Sequence, residues 1–174
     1  MMKMLHKGGI EVIADEHTTY ESLKANRVLE GSEFLHDLKG AIKILYPILR
    51  EIPQDLDCQI IWMERDFKEQ AKSQKKIRKR GGLEIPVGFV GQRRNANKIF
   101  TKQIIGEIIK NEHFHLIRVS FEGLLRDPLE MAKRVDRFLG KDLDVDAMAK
   151  CVVKRSPKNF NGFMEDKNAD YCKV

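Results

Sequence analysis

Cysteine is scarce in this chain: Cys58, Cys151 and Cys172 are its three, and no two stand close together in 174 residues. An odd, scattered set needs no disulfide framework and reads as free thiols in a reducing compartment. Long apolar runs are missing as well. No stretch reaches the roughly 18 residues that a spanning helix requires, so nothing crosses a membrane and no membrane partner is expected. The opening Met1-Met-Lys-Met-Leu-His6 lacks the apolar core of a secretory signal, and the expected location is cytoplasmic. Internal repeats and low-complexity blocks are absent too.

What the chain has in quantity is charge of both signs with an excess of positive. Lysine and arginine number 32 against 26 acidic residues, a net +6, and 42% of residues are hydrophobic. That balance fits a folded globular domain and excludes extended disorder. The positive field attracts anions, which could be nucleic acid, an anionic membrane surface or a polyanionic small molecule. Charge alone does not choose among them.

Apolar and β-branched runs alternate with helical patterns. Glu11–Ala14, Ala41–Leu45, Gln59–Met63 and Phe114–Val119 read as strands. The alternation predicts an α/β fold, a mostly parallel sheet with helices on both faces. The expected domain covers residues 1–155, followed by a loosely ordered tail over 156–174 rich in Asn, Lys, Gly and Asp. Met1 to Lys7 reads as the end of a helix that Gly8-Gly9 stops. Thr18 to Lys39 reads as one or two weakly specified helices. Phe67 to Arg80 forms a polar helix ended by Gly81-Gly82, and Lys98 to Lys110 carries isoleucines at three- and four-residue spacing. Asp127, Pro128 and Glu130 form a helix start, with the helix running to Phe138-Leu-Gly140 and another short one after Asp144.

The richest stretch is Gln59-Ile-Ile-Trp-Met63 followed by Arg65 and, eight residues on, Ser73. A strand that delivers an arginine to its carboxyl end, then a helix with an early hydroxyl, is suited to a phosphate. The plainer alternative is a charged helix start on the surface. Downstream, Lys72, Lys75, Lys76, Arg78, Lys79 and Arg80, with Arg93 and Arg94, form a dense basic run. Such a run is usually a solvated helix face, but it could also line a channel for an anionic acceptor or contact nucleic-acid phosphates. It lacks the interleaved aromatics of a single-strand binder. His113 and His115 alternate onto one strand face, yet no third ligand stands at metal-site spacing, so no metal is expected.

Three segments together resemble the sulfotransferase family, whose members have a P-loop nucleoside-phosphate fold and move a sulfuryl group from 3′-phosphoadenosine 5′-phosphosulfate to an acceptor. The resemblance covers residues from about Gly40 to Ala149. The segment from Gln59 to Ser73 is similar to the family's strand, Arg-Asp/Asn-Pro turn and helix, which implies that Arg65 and Ser73 hold the donor's 3′-phosphate; Phe67 stands where the family has proline. Val119-Ser-Phe-Glu-Gly-Leu-Leu-Arg-Asp-Pro128 through Gly140 is similar to the family's Tyr-Glu-Asp-Leu, Asp-Pro and Phe-Leu-Gly signature, and it implies that Phe121 stacks on the adenine. Ile42-Lys-Ile-Leu-Tyr-Pro47 is similar to the Lys-Thr-His-Leu-Pro strand end. Lys43 then matches a lysine near the sulfuryl group, while Leu45 replaces the histidine base.

With that histidine gone, Asp15, Glu16 and His17 at the end of the first strand are the candidate bases, against the plainer reading of a polar loop. The chain opens inside the helix that comes after the family's phosphosulfate-binding loop, so the first strand and that loop are expected to be missing, and with them the cradle for the sulfuryl end. The resemblance implies a transferase acting on an acceptor hydroxyl or amine, or a non-catalytic nucleotide-binding remnant. A basic nucleic-acid-binding protein is the remaining alternative.

Overall fold

The structure, a computed structural model, describes residues 1–13, 33–44 and 48–153. Two compact units divide the chain: Met1–Leu56 with Gly123–Val174, and Asp57–Glu122. In the first, helix α1 (Met2–Lys7) buries Met4 and Leu5. Its end is a Schellman turn: Gly9 N–H donates to His6 O and Ile10 N–H to Leu5 O, with Gly9 at φ +97°. The left-handed residue lets the two amides turn back and satisfy the helix's last carbonyls. Strand β1 (Val12–Ile13) then pairs in parallel with β2 (Ala41–Ile42). Short single turns, Glu33–Leu35 and Ile48–Glu51, contribute to the same unit.

The helix start expected at Asp127 is present. The Asp127 carboxylate accepts from Glu130 N–H at 3.1 Å, Pro128 occupies the first turn, and α5 (Pro128–Leu139) ends at Gly140 in the left-handed region. It is preceded by the short α4 (Phe121–Arg126) and followed by α6 (Val145–Lys150), capped by Asp144. Asp136 on α5 accepts from Leu143 N–H at 2.7 Å and holds the connection to α6. Of the expected stripe on α5, Val135 is fully buried along with Ala132, while Met131, Phe138 and Leu139 are half-buried. Met148 of α6 lies so close to Gly8 that a β-carbon there would meet its side chain at 2.8 Å.

The second unit is built on β3 (Cys58–Glu64) and β4 (Phe114–Ser120), paired in parallel in unbroken register from Cys58↔Phe114 to Glu64↔Ser120. A parallel pair needs a crossover, and here it consists of two helices, α2 (Phe67–Arg80) and α3 (Phe89–Lys110). Ala71, Ile104, Ile105, Ile108, Phe114 and Val119 form the buried centre. Helix α2 has the bounds its sequence implies, closed by a second Schellman turn at Gly82 (φ +67°).

Two expectations are corrected. Helix α3 begins at Phe89, not Lys98, because its first turns are held by polar contacts that no apolar period announces. Gln74 Oε1 accepts from both Arg93 Nε and Asn97 Nδ2 at 3.1 Å, which satisfies the one buried polar side chain of the described residues, Asn97. The second strand stops at Ile42, so Lys43 and Ile44 follow the strand instead of lying in it. The described strands form two pairs, both parallel as expected. The molecule is thus mixed α/β with short parallel sheets. No helix among the described residues is long and apolar enough to cross a membrane.

Two measurements test this description. Gly40 sits at φ +109°, and a β-carbon there would lie 2.6 Å from Glu11 O, the carbonyl that receives Ala41 N–H. Gly40→Ala should therefore destabilise by about 2 kcal/mol in urea unfolding, more than Gly9→Ala, whose β-carbon meets nothing within 4 Å. The thiol of Cys58 is pushed up to about 11, chiefly by burial and secondarily by the charge of Asp57. A thiol raised on folding contributes stability below its ordinary value near 9 that is lost as pH climbs toward 11. In a chain with Cys151 and Cys172 changed to alanine, alkylation at pH 8 should run at least about tenfold slower than for an exposed cysteine peptide.

Candidate functional site

The unbroken register of β3 and β4 decides what meets at their carboxyl ends. Since Glu64 lies opposite Ser120, the next residue on each chain, Arg65 and Phe121, leaves the sheet side by side. The Arg65 guanidinium carbon lies 5.3 Å from the centre of the Phe121 ring, a cation–π contact that holds the planar fork in one orientation. Phe121 thus lies under the arginine.

Among the described residues, the carboxylates of Glu64, Asp66 and Glu122 have hydrogen-bond partners other than Arg65. Glu64 accepts from Arg118 Nε at 2.7 Å. Asp66 caps α2, accepting from Glu69 N–H at 2.9 Å. Glu122 accepts from Asp66 N–H at 3.3 Å, and its other oxygen lies 3.4 Å from the Ser120 hydroxyl. The Glu69 carboxyl is held below the usual carboxylate range, first by the hydrogen bond from Lys72 at 2.7 Å, with Arg65 adding a weaker pull. What remains is Arg65 Nε, buried and without a hydrogen-bond partner among the described residues.

Amides at a helix start commonly receive anions, but here two of them are already taken by the chain's own carboxylates. Those two amides are thus occupied, and Arg65 stands at this edge as a side-chain donor. Ser73 stands half-buried on the second turn of α2, in the same unit as Arg65 and Phe121. Lys43 belongs to the other unit, half-buried directly after β2. Asp15, Glu16, His17 and Leu45 lie outside the described residues.

His113 and His115 are exposed beside carboxylates, His115 at 3.3 Å from Asp57 and His113 at 3.9 Å from Glu112. Among the described residues no three potential ligand side chains gather around a common point. Sequence reasoning missed the roles of Glu122 and Ser120, which a parallel pairing of the two strands would have placed beside Asp66. No family model, characterised protein or solved structure matches the chain.

The cap and the neighbouring charge can be separated at Asp66. Asp66→Ala should cost about 1 kcal/mol in chemical unfolding through loss of the α2 cap, whereas Asp66→Asn keeps the cap and should cost less than half as much.

Proposed function

We propose that this chain is a sulfotransferase-type protein of the P-loop nucleoside-phosphate class, with a site for 3′-phosphoadenosine 5′-phosphosulfate at the carboxyl edge of β3 and β4. One observation carries the reading: the arginine that the motif singles out, Arg65, sits at that edge with a buried N–H that lacks an acceptor. A buried donor without a partner is costly, and a phosphate oxygen arriving from the nucleotide would satisfy it with a charge-assisted bond. Ser73, one helical turn and a half along α2, supplies the second donor in this reading.

In the proposed reaction an acceptor oxygen or nitrogen attacks sulfur in line as the bond to the bridging phosphate oxygen breaks. The acceptor proton passes to a base, with Glu16 and His17 the candidates, and 3′-phosphoadenosine 5′-phosphate leaves. Positioning and fixed positive charge supply most of the rate. The same reading places the chain in the cytoplasm, supported by Cys58 and Cys151 standing as free thiols.

Calorimetry on the full chain tests it. 3′-Phosphoadenosine 5′-phosphate should bind, Arg65→Ala should weaken it by about a hundredfold, and Ser73→Ala by about fivefold. Adenosine 5′-phosphate, which lacks the 3′ group, should bind the unaltered chain no better than the bisphosphate binds Arg65→Ala. Equal affinity for the two nucleotides, or indifference to Arg65→Ala, sinks the proposal. Binding without sulfuryl transfer to any acceptor would leave a non-catalytic nucleotide-binding protein.

A further inference from the structure

The positive charge of this chain is concentrated on one structural element. From Lys68 to Lys98, covering α2, the turn and the first half of α3, ten lysines and arginines stand against two glutamates. That excess of eight exceeds the +6 of the whole chain, so everything outside this hairpin is net negative. Lys75, Lys76, Lys79 and Arg80 are exposed on α2, and Arg93 and Arg94 on α3.

The turn itself is apolar where a soluble turn would be polar. Val87 is 96% exposed, Leu83 55%, and Ile77 on the last turns of α2 is 59% exposed. These three aliphatic side chains stand at one end of the hairpin with only Glu84 as an acidic neighbour between Arg80 and Arg93. The turn is held in shape from within. Arg78 donates through Nε and Nη2 to Glu84 O, at 3.3 and 2.9 Å, and its guanidinium lies 5.7 Å from the centre of the Phe89 ring. Lys75 and Lys79 line a groove of about 540 Å³ against residues 85–91.

We propose that this hairpin tip docks on an anionic lipid bilayer, the aliphatic residues entering the interface and the surrounding lysines and arginines meeting the headgroups. Exposed aliphatic side chains gain nothing from a nucleic-acid backbone, which calls for aromatic platforms or base-edge donors that this tip does not offer. A bilayer rewards both features, apolar contact and basic charge. The absence of a spanning run does not bear on docking at a membrane face. The inference is independent of the nucleotide site, since none of these residues belongs to it.

Sedimentation of the full chain with vesicles decides it. Vesicles with about one third phosphatidylserine in phosphatidylcholine should capture the chain at least about tenfold better than phosphatidylcholine alone, and raised salt should weaken capture. Lys76→Gln with Lys79→Gln should reduce capture about tenfold or more. Leu83→Asn with Val87→Asn leaves net charge unchanged and should also reduce capture about tenfold. Val87→Asn alone, at an almost fully exposed position, keeps the test intact if the pair disturbs the turn. Failure to sediment with the anionic vesicles overturns the proposal. So does capture that ignores the aliphatic substitutions, or salt-steep binding to duplex DNA in place of the vesicles.

Discussion

The parallel ladder between β3 and β4 is the constraint on which the candidate site depends. Seven aligned pairs bring both strands to the same edge at the same point, so the residues just beyond each strand become neighbours in space. Arg65 meets Phe121, and Asp66 meets Glu122. A slip of one residue would turn every side chain of the slipped strand to the opposite face and break both pairings. The register is in turn protected by Val119 and Phe114, buried on β4, and by the isoleucines of α3 beneath them.

Because the pair is parallel, the chain must travel the length of the sheet before it can return, and the crossover made by α2 and α3 is that journey. Its start and its turn have opposite characters. At the start, the Glu69 amide is answered by Asp66 and the Asp66 amide by Glu122, and Lys72 pairs with Glu69. At the turn there is one acidic residue amid a collar of basic ones, with aliphatic side chains left in solvent. The two helices are kept together between these ends by Gln74, which reaches Arg93 and Asn97 at once. Replacing that polar clamp by apolar contacts would need a continuous stripe on the first half of α3, which Gly91 to Asn95 does not provide.

Much of this was legible in the residues where local chemistry is decisive. Helix caps depend on a side chain and an amide three residues apart, so Asp127 with Glu130 and the glycine stops at Gly9, Gly82 and Gly140 could be read directly. The strands β3 and β4 were visible as β-branched runs. The first half of α3 was not, because its stability comes from long-range polar contacts to Gln74 that have no periodicity. The extent of the sheet was less legible for a related reason: an apolar run reports that a segment can pair, whereas the number of partners depends on tertiary placement. At the site, Arg65 was visible as a motif, but its pairing with Phe121 required the register, and Phe121 turned out to lie under the guanidinium.

That position of Phe121 bears on how an anion would be held. A guanidinium between Glu64 and Asp66 in sequence would ordinarily be neutralised by one of them, yet Glu64 turns to Arg118 and Asp66 to its helix. The aromatic face supports the charge without supplying an oxygen, a contact worth on the order of 1 kcal/mol, while the buried Nε retains a desolvation cost of about 1–3 kcal/mol. In the proposed reading, an oxyanion that reached this atom would remove that cost in addition to forming its own charged bond. The free protein therefore carries an unmet demand at one atom, already oriented, and the surrounding acids restrict what can meet it. An anion spread along the helix start would encounter Asp66 and Glu122, whereas one compact oxyanion on Arg65 itself would be repelled least.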